Sequence, residues 1–123
     1  MVEGKALVVD DDEPIRKLLT RVMESEQFTV DTARNGAEAI SQLNDDGYGV
    51  VLLDLMMPEV DGFAVLRHMQ EHFPEKLRRT IVATAAPESE VRKRLKEPVF
   101  RVHFKPFDVH ALIEDVRLLM QTA

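Results

Sequence analysis

Short apolar runs alternate with segments of helical period along the whole chain. The runs Ala6–Asp10, Thr29–Thr32, Val50–Leu55, Thr80–Thr84 and Arg101–Lys105 read as strands. VVLLDL is apolar throughout except for its aspartate, as expected of a strand covered on both faces. Between the runs, Ile15, Leu18, Leu19, Val22 and Met23 recur at i, i+3, i+4, i+7 and i+8, which makes one apolar helix face. Pro14 suits the first turn of that helix. Ala37, Ile40 and Leu43 mark a shorter second helix with Asn35 as its N-cap. Phe63, Leu66, Met69 and Phe73 mark a third, with Asp61 and Gly62 as turn and cap. The series from Val109 through Leu112, Ile113, Val116 and Leu119 to Met120 marks the last helix, capped by Asp108. The helix before it is weaker: PESEVRKRLKEP holds only Val91 and Leu95 as anchors, and Pro98 ends it.

Strand and helix in regular alternation predict βαβ units, a mostly parallel sheet and helices on both of its faces. No Gly/Ser/Pro-rich linker interrupts the series. One domain over residues 1–123 is therefore expected, with no effector domain in this chain.

Composition narrows the function. Hydrophobic residues make up 45% and charged residues 31%, an ordinary balance for a soluble globular domain. The chain has 0 cysteines, which excludes thiolate chemistry and a disulfide framework and fits a reducing cytoplasm. No apolar run is long enough to span a bilayer, and MVEGKALVV lacks a signal-peptide pattern, so a cytoplasmic location without membrane contact is expected. A net charge of −6 argues against nucleic-acid binding by the domain itself and suits a basic partner or a cation.

In a parallel sheet of this kind, ligands bind outside the carboxyl ends of the strands. Asp10, Asp11, Asp54, Thr84 and Lys105 all fall there, although they are distant in sequence. Converging carboxylates suit Mg²⁺, a hard cation that takes oxygen ligands and keeps several waters. A lysine and a hydroxyl beside them suit an anion. A phosphoryl group held by Mg²⁺, Lys105 and Thr84 satisfies the whole set, and an aspartate is the available nucleophile.

The matching pieces VVDDD (Val8–Asp12), LLDLMMPEVDG (Leu52–Gly62), ATAA (Ala83–Ala86) and KPF (Lys105–Phe107) occur in the order and spacing of a known family. The chain resembles, over essentially all its length, the response-regulator receiver domains of two-component signalling, typified by CheY. The resemblance implies a flavodoxin-like sheet of order 2-1-3-4-5 with five helices. It implies that Asp54 accepts a phosphoryl group from a sensor histidine kinase or a histidine phosphotransfer protein. It further implies that Asp10, Asp11, Asp54 and the Met56 backbone carbonyl hold Mg²⁺. Thr84 matches the switch hydroxyl and Lys105 the phosphate-pairing lysine, with a cis bond before Pro106. The implied role is a signalling switch that catalyses its own phosphorylation and dephosphorylation rather than an enzyme acting on a separate substrate. Its reader is an unknown downstream protein or a fused effector absent from this chain.

The chain also departs from the family. Pro98 stands where glycine is common, Val102 where many members carry an aromatic switch residue, and the stretch from Thr84 to Lys105 is about one residue short. These departures set it apart from members that switch by aromatic rotation or dimerise through the fourth helix, fifth strand and fifth helix. Met56 and Ala86 offer no group to orient an attacking water, so slow loss of the phosphoryl group is expected. Asp12 and Glu13 read as solvated residues at a helix start. His68 and His72 have metal-ligand spacing, but without a third ligand they read as exposed helix residues.

Overall fold

The computed structural model describes residues 4–45 and 47–122. Its strands are β1 (Gly4–Val9), β2 (Phe28–Ala33), β3 (Tyr48–Leu53), β4 (Thr80–Thr84) and β5 (Arg101–Phe104). The α-helices are α1 (Glu13–Ser25), α2 (Gly36–Gln42), α3 (Gly62–His72), α4 (Glu88–Arg94) and α5 (Val109–Thr122). The strands form one parallel sheet in the order β2-β1-β3-β4-β5. This is the expected architecture, with one addition: a 3-10 helix over Pro74–Arg79 joins α3 to β4. Among the described residues no helix is long and apolar enough to cross a membrane.

Each face of the sheet has its own core. Ala6, Val8, Leu52 and Ile81 point to one side and pack with Leu19 and Met23 of α1 and Leu112, Val116 and Leu119 of α5. Leu7, Val9, Val51, Leu53 and Val82 point to the other and pack with residues of α2, α3 and α4. The alternation of sides along each strand follows from the period of two. β1 and β3, central in the sheet, are covered on both faces, which is why they read as continuous apolar runs.

Local signals set the helix starts. Asn35 accepts from the Glu38 N–H at 2.8 Å, Asp61 from Ala64 at 2.9 Å and Asp108 from His110 at 2.8 Å, all as expected. Asp12, expected to be merely solvated, caps α1 by accepting from the Ile15 N–H at 3.1 Å. The α4 helix has no side-chain cap and buries only Val91, in keeping with its sparse apolar pattern.

Candidate functional site

The polar residues predicted at the sheet edge stand one step further out than the apolar runs suggest. β1 ends at Val9, β3 at Leu53 and β5 at Phe104, so Asp10, Asp54 and Lys105 each lie one residue beyond a strand. Their amides still join the neighbouring strand. Asp10 N–H donates to Ala33 O at 3.2 Å, Asp54 to Val9 O at 3.0 Å and Lys105 to Thr84 O at 2.7 Å. These bonds hold the three residues rigidly at the lip of the sheet while freeing their side chains from the layered cores.

The side chains converge. Ligand oxygens of Asp10, Asp11 and Asp54 all lie within 4.8 Å of one another. Asp10 and Asp54 are buried and Asp11 is exposed, so the cluster has a deep floor and an open mouth. Lys105 Nζ reaches in between, 2.8 Å from Asp10 Oδ2 and 3.6 Å from Asp54 Oδ2. The Lys105–Pro106 bond is cis, as expected. Thr84 is fully buried, and its hydroxyl oxygen accepts the Ala86 N–H at 3.1 Å.

Backbone groups fix the remaining carboxylate oxygens. Asp10 Oδ1 accepts the Asp12 N–H at 2.9 Å, and Asp54 Oδ1 accepts the Met56 N–H at 3.1 Å. One contributor was not anticipated from sequence: Arg16 donates through Nη1 to the Asp10 carbonyl at 2.8 Å, bracing the turn that carries the acid pair. Its helical position, on the turn above Asp12, was the available signal. Gly62 matters for a steric reason. A Cβ there would collide with the Asp54 carbonyl oxygen and sit 2.6 Å from Leu55 Cα, so only glycine lets the start of α3 lie against the Asp54–Leu55 segment that follows β3.

Burial raises the Asp54 carboxyl above its usual value. The Met56 N–H opposes that shift, Asp10 adds to it, Lys105 opposes it and Asp11 adds to it. A more basic carboxylate is a better nucleophile. Burial acts against the Lys105 ammonium, but the Asp10 hydrogen bond and the charges of Asp54 and Asp10 outweigh it, and Lys105 ends above its usual value.

The charge count tests the fit of a metal. Three carboxylates, two of them buried, share this place with the Lys105 ammonium and the Arg16 guanidinium at the Asp10 carbonyl, so negative charge is in excess. Uncompensated buried charge is expensive, and a divalent cation with oxygen ligands balances it.

The sequence of residues 6–117 matches the family model of the response regulator receiver domain. The chain belongs to this family. Transcriptional regulatory protein ResD of Bacillus subtilis (strain 168) is 38% identical over 122 residues, covering 98% of this chain and 50% of ResD. The receiver domain thus spans half the length of that relative. Transcriptional regulatory protein SrrA of Staphylococcus aureus (strain NCTC 8325 / PS 47) is 41% identical over 71 residues, covering 58% of this chain and 30% of SrrA. Among solved structures, the receiver domain of the Francisella response regulator 1452 superimposes with a TM-score of 0.83 at 27% identity, covering 97% of this chain and 98% of that one. The BeF3-activated DrrB receiver domain gives 0.84 at 26% identity, covering 98% and 99%. Receiver domains bind Mg²⁺ at an acidic pocket, and the cluster of Asp10, Asp11 and Asp54 has that composition.

Proposed function

We propose that this receiver domain is a phosphorylation switch with Asp54 as its acceptor, working in the cytoplasm as a single unit over residues 1–123. The observation that carries the reading is the convergence of the Asp10, Asp11 and Asp54 carboxylates with Lys105 at the carboxyl edge of the sheet. A histidine kinase or phosphotransfer protein presents a phosphohistidine. An Asp54 oxygen attacks phosphorus, the P–N bond breaks, and its electron pair leaves with the imidazole. Asp10, Asp11, Asp54 and the Met56 carbonyl are the groups that would hold Mg²⁺, which supplies charge neutralisation for the transferring oxygens. Lys105 exchanges its contact with Asp54 for one with a phosphoryl oxygen. The Thr84 hydroxyl, already accepting from Ala86, retains a hydrogen to donate to another. Drawing Thr84 toward the phosphate moves the segment that leads into α4, and a partner that binds this arrangement better shifts the population. The reader is a separate protein or a fused effector outside this chain, and the names of the relatives favour an output in transcription.

Intact-protein mass after incubation with acetyl phosphate and Mg²⁺ tests the reading. The parent should gain one phosphoryl group, Asp54→Asn none, and prior EDTA should suppress the gain. No gain together with no Mg²⁺ binding by titration would overturn it.

A further inference from the structure

The end of α3 carries His68 and His72 in the stretch His-Met-Gln-Glu-His. Residues four apart share one helix face, and this spacing lets two imidazoles chelate one cation. Here the ring centroids lie 4.4 Å apart and tilted by 41°. His68 is not the exposed residue expected from sequence. It is half-buried, with Phe73 beside it at 5.9 Å between centroids. Its Nε2 is shielded from water and has no hydrogen-bond partner among the described residues. A buried nitrogen left this way loses its water contact without compensation. His72 remains open, its side chain 54% exposed, with Nε2 3.9 Å from the Glu71 carboxylate.

We propose that His68 and His72 form a second cation site, for a borderline first-row divalent ion such as Cu²⁺, Ni²⁺ or Zn²⁺. It is chemically unlike the carboxylate cluster, because imidazole selects these ions whereas carboxylate selects Mg²⁺. Coordination gives the His68 Nε2 the partner it lacks. The last turn of a helix favours positive charge, and Glu71 adds a negative charge beside His72. Among the described residues no third His, Asp or Glu ligand joins the pair, so water fills the rest of the shell from the open His72 side and no hydrolytic reaction is assigned.

The test is calorimetric titration of the whole chain with CuCl₂, NiCl₂ and ZnCl₂ while millimolar Mg²⁺ keeps the carboxylate cluster occupied. One site is expected, with Cu²⁺ held most tightly. His72→Gln and His68→Gln should each weaken binding by more than ~10-fold, and His110→Gln should not change it. Since His72 is exposed, its variant tests the site without threatening the fold. The metal should raise the melting temperature of the parent and leave that of His72→Gln unchanged. Undiminished binding in His72→Gln, loss of binding in Asp54→Asn instead, or no saturable binding in the parent would each overturn the proposal.

Discussion

Lys76 shows how far a single residue can stand from its sequence average. It is buried, and its ammonium donates to the Leu43 carbonyl and, at 3.0 Å, to that of Asp45, while lying 4.5 Å over the Phe73 ring. Leu43 is the C-cap of α2, so the cation closes a helix end that lacks a glycine. Lys76→Met would strand those carbonyls, and urea denaturation should show a loss of about 1–3 kcal/mol. A change within ~0.5 kcal/mol would mean that water replaces the ammonium. At the site, Ala86 is 3% exposed and Met56 52% exposed, and neither side chain can orient water. Phosphorylated protein should therefore outlast the seconds scale at neutral pH with Mg²⁺, and Met56→Gln should shorten that lifetime in a mass-resolved decay.

Among the elements, α1 carries a correctable strain at its C-terminus. Gln27 follows the C-cap with φ of 74° and donates its N–H to Glu24 O at 3.0 Å. This left-handed position favours glycine. Gln27→Gly should raise stability by up to about 1 kcal/mol, read as a shifted denaturation midpoint with an unchanged slope. The α4 helix is held differently. Its few apolar anchors are supplemented by Arg94, whose guanidinium lies 3.9 Å over the Phe63 ring and 3.5 Å from Asp61 Oδ2. This sparsely anchored helix is thus tied to the N-cap of α3, beside the loop that follows Asp54.

Across the whole molecule, α1 and α5 pack on one face of the sheet and are joined by Glu26, the C-cap of α1, and Arg117 of α5. Glu26 accepts from Arg117 Nε at 2.8 Å and Nη2 at 3.1 Å. The Arg117 hydrogen bonds hold the Glu26 carboxyl below its usual value against a smaller opposing effect of burial. A depressed carboxyl stabilises the fold above its unfolded value and loses that contribution as pH falls through the folded one. The melting-temperature gap between the parent and Arg117→Gln should be present at neutral pH and close below the ordinary glutamate range. A gap that persists in acid would assign it to packing of the arginine stem instead.

Period and punctuation in the sequence determined the element series, the parallel sheet and the caps at Asn35, Asp61 and Asp108, because these depend on residues within a few positions of each other. Order and spacing of the four motifs also brought Asp10, Asp11, Asp54, Thr84 and Lys105 into view, since the βαβ rule sends every strand's carboxyl end to one edge. Tertiary structure decided what depends on neighbours remote in the chain. It buried Lys76 against the end of α2, made the exposed Asp12 a helix cap as well as a solvated acid, and set Arg16 under the Asp10 turn. It also closed the Nε2 of the half-buried His68 away from water. Strand ends moved inward by one residue at β1 and β5 and by two at β3, because the extent of pairing depends on the neighbouring strand, and an apolar run carries no record of its neighbour's length.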